Sequence, residues 1–400
     1  MTYRIVLFSL YLLPFSHILS FPIASSRFDL TSLLIYLLFA IKFNSTFLVV
    51  GSSLFSVSFF SYLYNQDIFN EYPLYRSAWS SLLFAPFILV ILNPRFRLYI
   101  RTSSLQRILG FWFVINIPIF VVNLFLFFRG FRPSFPFDEP ARLSLYCFIT
   151  IIPMLFAAFD LIKIRFFKSA TISKAFIVFS LFITLVLSLL TRSSHAIIFL
   201  SFLFLFAFAL SSQSLLRRRN LSFPTSAVIF FLLCSTLLLL FLIFFISFNL
   251  LVKFNVLASP DSQNLSSLSW LNGFANASFS ASSNPLFGFG LGSYGYVLNP
   301  SNTYGDLLIA IHGELNKFDG YSFLFKTVYE LGLIPALALF LAMLARLYRF
   351  LQEYYIANSW YNFTIKLMAS FALVCSLVKE PTMTFFPVSL SILFYTLKVV

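Results

Sequence analysis

Apolar residues occupy this chain in long blocks separated by short polar junctions, at 5–23, 28–41, 46–64, 78–92, 108–128, 143–159, 175–190, 196–211, 225–252, 323–345, 363–378 and 382–399. A helix needs about 17–25 apolar residues to cross the hydrocarbon core of a bilayer. The pattern therefore predicts an all-α, polytopic transmembrane bundle of about twelve helices. The blocks at 28–41, 78–92 and 196–211 are short, so ten to twelve crossings satisfy the pattern once tilt or bilayer thinning is allowed. The first block follows Arg4 and precedes Ala24-Ser25-Ser26, as a cleaved signal peptide would. Cleavage would shift every later crossing and place the arginine clusters on the far side, so this block is read as the first transmembrane helix.

Composition removes the soluble alternatives. Of 400 residues, 60% are hydrophobic, 10% are charged and Phe alone fills 58 positions, which leaves too little polar surface for a water-soluble chain. Twelve Gly and three Cys exclude a linker, a collagen-like fibre and a disulfide-dense scaffold. Cys147, Cys234 and Cys375 all fall in apolar blocks and read as small buried hydrophobes. The net charge of +14 is a topology signal rather than a nucleic-acid footprint. With the N-terminus cytoplasmic, the cytoplasmic junctions collect 17 of the 27 Lys and Arg, opposed only by Asp160 and Glu353. Basic residues accumulate in short cytoplasmic loops, so both termini are expected on that side.

Residues 253–322 break the apolar pattern with a long stretch rich in Ser and Asn, and residues 273–332 hold nine of the twelve Gly. On the charge-derived topology this is one long external loop between the ninth and tenth helices, inside a single membrane domain spanning 1–400. The tight connection Thr191-Arg192-Ser193-Ser194-His195 falls on the same face. Two polar elements on one face of an oily bundle make a site, unless they are merely a solvated loop beside an ordinary turn.

Gly290, Gly292 and Gly295 spell G-x-G-x-x-G, but the sequence on either side lacks the strand and helix of a dinucleotide fold. They are read as permitting tight turns and close backbone approach near a headgroup or sugar. Arg192 closes an apolar block at a hairpin mouth, where its planar fork suits phosphate oxygens; the plain alternative is an interfacial anchor. Arg129, Arg132 and Arg142 are external cations by the same topology, and His195 belongs either to this site or to turn polarity alone. Asp319, Ser322, Lys326 and Glu330 are spaced by three, four and four, and form one stripe facing the bundle interior if the segment is already helical. Alternatively Asp319 or Ser322 caps a helix and Lys326 pairs with Glu330. His312, near Glu314 and Asn316, suits a general base or is simply solvated. No H-E-x-x-H, C-x-x-C or clustered acidic triad occurs in the sequence, so no metal site is expected.

At three places the chain resembles the bacterial O-antigen polymerases, the Wzy-type oligosaccharide repeat-unit polymerases, and more distantly the O-antigen ligases. These are Leu190-Thr191-Arg192-Ser193-Ser194 at a span boundary, Asn284-Pro285-Leu286-Phe287-Gly288-Phe289-Gly290 opening the external loop, and Asp319-Gly320 through Gly332, together covering about residues 185–345. Pro335 stands where the family commonly has Gly, and Tyr321-Ser322 replaces the His-Asn pair of the ligases, which favours a polymerase.

The resemblance implies a glycosyltransferase that needs no metal, sugar nucleotide or other cofactor. It implies transfer of a growing glycan from undecaprenyl diphosphate to the next lipid-linked repeat unit, on the outer face of the bacterial inner membrane, to build O-antigen or capsular or exopolysaccharide. The implied partners are the undecaprenyl-diphosphate-linked oligosaccharide, membrane lipid, a chain-length regulator and a flippase, with no nucleic acid. Arg192, with Lys326, Arg129 and Arg132, is then the candidate diphosphate clamp, and Arg142 a further reserve. Asp319, Glu314 and His312 are the candidate bases at the acceptor hydroxyl, and His195, Asn316, Ser322 and Glu330 complete the candidate site. The alternatives are a ligase that hands finished glycan to another acceptor, or a lipid-linked oligosaccharide transporter. The latter lacks support from any evident half-to-half repeat.

Overall fold

The computed structural model describes residues 2–203 apart from 16–19, 24–25, 69–73, 94–95, 138, 165, 168, 194, 197 and 201, and then residues 265–296, 302–313, 322–356, 359–378 and 386–400. The predicted crossing at 225–252, most of that at 196–211 and Cys234 lie outside the described residues.

The chain is mostly helical. In order run α1 (Thr2–Leu12), α2 (Leu30–Phe43), α3 (Ser45–Tyr64), α4 (Leu74–Leu92), α5 (Thr102–Phe128), α6 (Pro140–Ala158) and α7 (Ala170–Leu190). After them come α8 (Leu265–Ser283), α9 (Thr303–His312), α10 (Phe323–Leu331), α11 (Leu333–Ile356), α12 (Trp360–Val378) and α13 (Phe386–Thr396). Among the described residues seven helices are long and apolar enough to cross a membrane: α3, α4, α5, α6, α7, α11 through Phe350, and α12.

Three stretches differ from the reading of the sequence. The block at 5–23 is a shorter helix that tightens into a 3-10 turn at Leu13–Phe15, followed by β1 (Ser20–Ile23) paired antiparallel with β2 (Ser26–Asp29). Pro14 has no N–H to bond back along the helix, and Pro22 falls within a two-stranded hairpin, where both strands are edges. The block at 323–345 is two helices, because Gly332 takes φ +90 and Pro335 sits in the first turn of α11, where a missing N–H costs nothing. The polar stretch 253–322 is not one irregular loop, since it contains α8 and α9.

Polar side chains hold the helices together. Asn116 on α5 donates to Thr150 of α6 at 3.3 Å and Thr184 of α7 at 3.1 Å, and accepts from the Tyr146 hydroxyl at 2.9 Å. In lipid, where apolar contact gives no preference for protein over tail, such bonds fix which helices adjoin. Cys147 and Cys375 are fully buried free thiols, as their apolar surroundings required.

Basic residues gather at one end. There β3 (Leu98–Ile100) pairs parallel with β4 (Leu397–Val399), the Tyr361 hydroxyl bonds the Lys163 carbonyl, Lys174 meets Asp160, and Arg346 bonds the Val90 carbonyl. Lys366, which the sequence places among the junction cations, is instead fully buried in α12. Its ammonium donates to the carbonyls of Phe394, Tyr395 and Leu397 at 3.0, 2.5 and 2.6 Å. A cation at the carbonyl-rich end of α13 satisfies orphan acceptors and opposes the helix dipole.

Replacing Lys366 by Met leaves those acceptors unsatisfied, which is expected to cost about 1–3 kcal/mol and lower the unfolding midpoint in detergent. An unchanged midpoint would show that the carbonyls find other partners. Cysteines at exposed Ser282 and exposed Lys163 are expected to label from opposite faces of sealed membranes; labelling from one face would overturn the two-ended arrangement.

Candidate functional site

The end of the bundle away from the basic cluster carries the candidate site. α7 packs between α5 and α6 and closes at Thr191, whose hydroxyl donates to the Ser188 carbonyl at 2.6 Å. Arg192 then adopts φ 51, a left-handed conformation rare outside Gly, and reverses the chain. The Ser193 hydroxyl accepts from the His195 backbone N–H at 3.3 Å and meets His195 Nδ1 at 3.0 Å. His195 is fully buried, so it braces the turn from within, whereas the Arg192 side chain is exposed.

The other nominated arginines take different roles. Arg132 donates from Nε to the Thr191 carbonyl at 2.7 Å and from Nη2 to the Arg192 carbonyl at 2.8 Å. Desolvation first, and then the charge of Arg192, bring the Arg132 guanidinium below its ordinary pKa. Arg129 caps α5 with its guanidinium 4.5 Å from the Phe125 ring centroid. Arg142 is buried in the first turn of α6.

At the same end of the bundle lies the glycine loop, residues 284–296. It descends among α3, α4 and α10 with Gly288, Gly290 and Gly292 at positive φ. A Cβ on Gly288 would stand 2.5 Å from the Gly332 nitrogen, on Gly290 2.8 Å from the Ser58 carbonyl oxygen, and on Gly292 2.8 Å from the Arg76 carbonyl oxygen. The close approach expected from these glycines is thus to other backbone of the same chain. Ser61 donates to the Gly288 carbonyl at 2.7 Å, and the Leu291 N–H donates to the Ser58 hydroxyl at 3.0 Å.

The polar stripe divides in the same way. Ser322 caps α10, accepting from the Phe325 N–H at 3.4 Å, and donates its hydroxyl to the Leu377 carbonyl at the end of α12. Lys326 lies 3.9 Å from Glu330, which is fully buried. Burial disfavours the charged Glu330 carboxylate and outweighs Lys326, the Gly292 and Tyr294 amides and the Arg76 guanidinium, which favour it; among the described residues no donor closes to full hydrogen-bond geometry on either oxygen. Arg76, which the sequence pattern did not single out, also stacks over Tyr296 at 5.4 Å; the signal available was a lone cation at the start of an apolar block. His312 ends α9 and is partly exposed. Asp319, Glu314 and Asn316 lie outside the described residues.

An asparagine cluster orders the segment before the stripe. Asn302 caps α9, accepting from the Gly305 N–H at 3.1 Å, and its amide donates to Asn272 at 2.6 Å and Asn276 at 2.8 Å. Asn276 reaches the Tyr294 hydroxyl at 3.2 Å, joining α8 and α9 to the glycine loop.

Turn and stripe share one end of the bundle. Phe199, a few residues beyond Arg192, stacks on Phe148 of α6 at 4.3 Å and meets Phe371 of α12 at 5.2 Å. Ser322 is tied to Leu377 on the same α12, further from the basic end. Compared with known proteins, the chain matches no family model, and no curated protein matches it either.

Gly290→Ala is expected to destabilise by more than the ~1–2 kcal/mol of a left-handed backbone alone, because its Cβ meets the α3 backbone. Gly130→Ala is the control: Gly130 shares a positive φ, but a Cβ there meets nothing within 4 Å. Equal shifts in unfolding midpoint for the two variants would show that the loop is not tightly seated.

Proposed function

We propose that the chain is a glycosyltransferase that polymerises undecaprenyl-diphosphate-linked oligosaccharide repeat units, on the outer face of the bacterial inner membrane, into O-antigen or capsular or exopolysaccharide. The observation that carries this reading is the exposed Arg192 guanidinium, presented by a braced turn at the end of the bundle that also bears the glycine loop and α10.

In this reaction the bond between the glycan's anomeric carbon and the diphosphate oxygen breaks. A bond forms from that carbon to an acceptor hydroxyl, whose proton leaves to a base. Negative charge grows on the departing diphosphate, and a preorganised guanidinium lowers that barrier more than it stabilises the ground state. Arg192 is the clamp. Lys326 is less available, being engaged with Glu330 and mostly covered. Asp319, Glu314 and His312 remain the proposed bases at the acceptor hydroxyl. A Phe-rich apolar exterior supplies the lateral surface that an isoprenoid-borne substrate requires.

The direct test is Arg192→Ala in a strain that makes the cognate polysaccharide. Loss of long chains with single repeats retained, and the protein still inserted at normal level, is the expected result; full-length polymer would remove the clamp. Reconstitution with purified undecaprenyl-diphosphate oligosaccharide and no other acceptor separates the alternatives. A ladder of products marks a polymerase, whereas a ligase or transporter yields none.

A further inference from the structure

The turn that carries Arg192 is under local tension. An L-residue in the left-handed region costs about 1–2 kcal/mol, and at φ 51 Arg192 holds that conformation without the glycine or asparagine that usually occupies it. What holds it arrives from 60 residues away in sequence. The connection between α5 and α6 brings Arg132 across the end of α7, and its Nε and Nη2 donate to two successive carbonyls, Thr191 at 2.7 Å and Arg192 at 2.8 Å. Two donors at the fixed spacing of a planar guanidinium define the relative orientation of those two peptide groups, which a single ammonium does not. The Arg192 side chain itself is exposed, so its guanidinium faces outward from the held backbone.

We infer that Arg132 is a positioning residue: it fixes the left-handed turn from which Arg192 presents its guanidinium to a diphosphate. The inference rests on the reading of Arg192 as the diphosphate clamp, and changes the part assigned to Arg132. With Nε and Nη2 spent on backbone carbonyls, Arg132 holds the clamp's frame rather than gripping the ligand as an equal. The two guanidinium groups are near enough for the charge of Arg192 to disfavour the charged form of Arg132. That repulsion is relieved when an anion enters beside them. A helix C-cap alone needs only a cation near the last carbonyls of α7, and a lysine would serve for that. Holding two peptide groups in one orientation needs the fork.

The experiment uses the purified full-length protein in detergent and inorganic pyrophosphate as the probe, with affinity read by titration calorimetry. Arg192→Ala is expected to weaken binding by at least about tenfold, the loss of one charge-assisted bidentate contact. Arg132→Gln and Arg132→Lys are each expected to weaken it by about tenfold as well, with the protein still monodisperse and its unfolding midpoint held in the lysine variant. The lysine variant is decisive, because it keeps the charge and the capping role and removes only the fork. If Arg132→Lys binds pyrophosphate as the unaltered protein does, the positioning role is overturned and the clamp stands. If Arg192→Ala binds undiminished, or the unaltered protein takes no pyrophosphate, the clamp falls and the positioning role with it. Should Arg132→Gln fail to fold, Arg132→Lys alone decides between these outcomes.

Discussion

A backbone polar group away from water must find its partner inside the protein, and that constraint decides how α10 can end where it does. The helix stops at Leu331, and its last carbonyls need donors. They receive them from the glycine loop: the Phe289 N–H donates to the Tyr329 carbonyl at 3.0 Å and the Gly290 N–H to the Glu330 carbonyl at 2.8 Å. On the far side of the break the Ile334 N–H donates to the Pro285 carbonyl at 3.0 Å. The loop is therefore the cap that lets one apolar block break into two helices. Side chains at positions 288, 290 or 332 would hold the backbones apart, since each added Cβ meets another backbone at under 3 Å. With the loop seated, Phe323 returns to the level of Phe340 on α11 and Phe87 on α4.

The few charges in the chain divide by what they touch. Lys366 is consumed by the carbonyls that end α13, Arg97 lies 4.2 Å over the Phe350 ring, Arg346 bonds the Val90 carbonyl, and Arg132 is tied to the Arg192 turn. Each cation so engaged satisfies an acceptor or an aromatic face, and Lys366 does so fully buried. At the end away from the basic cluster, Arg192 has its backbone carbonyl held by Arg132 while its side chain stays exposed.

The helical class and the apolar spans at α3, α5, α6, α7 and α12 were legible in the sequence, because composition and block length leave a bilayer chain few alternatives. The mouth of the α7 hairpin was legible too, since Arg192 interrupts two apolar runs. The break at Gly332 was written as Gly332-Leu333-Ile334-Pro335, a stop followed by a first-turn proline, yet hydropathy summed over the block hides it. The glycine loop could be located but its contacts could not. Residues 284–296 meet Ser58, Ser61 and Arg76 across more than two hundred positions of sequence, and no local pattern encodes such a pairing. Lys366 was misplaced for a related reason. A lysine at a block edge reads as a junction residue, while its buried role depends on where the C-terminal helix happens to end. Of the stripe Asp319, Ser322, Lys326 and Glu330, the last two share one helix, Ser322 stands at its N-cap, and Asp319 lies outside the described residues. Their capping and pairing came from the bland alternative, with Ser322 at the N-cap and Lys326 beside Glu330.

One helix links the parts of the site. α12 is buried along most of its length, meets Phe199 of the Arg192 hairpin through Phe371, and receives the Ser322 hydroxyl at Leu377. Both attachments fall on its outer half, six positions apart, so the spacing between turn and stripe is set by a packed helix rather than by a loop. Transfer between two lipid-borne substrates, as proposed, depends on holding a leaving group and an acceptor at fixed separation, because orientation supplies much of the rate when neither partner diffuses freely in three dimensions. The Arg192 turn is braced by Arg132, Ser193 and His195, and the stripe by the glycine loop and Leu377. Neither element hangs on a single hydrogen bond. That redundancy leaves the frame between the two elements closed through α12 without dependence on any one contact.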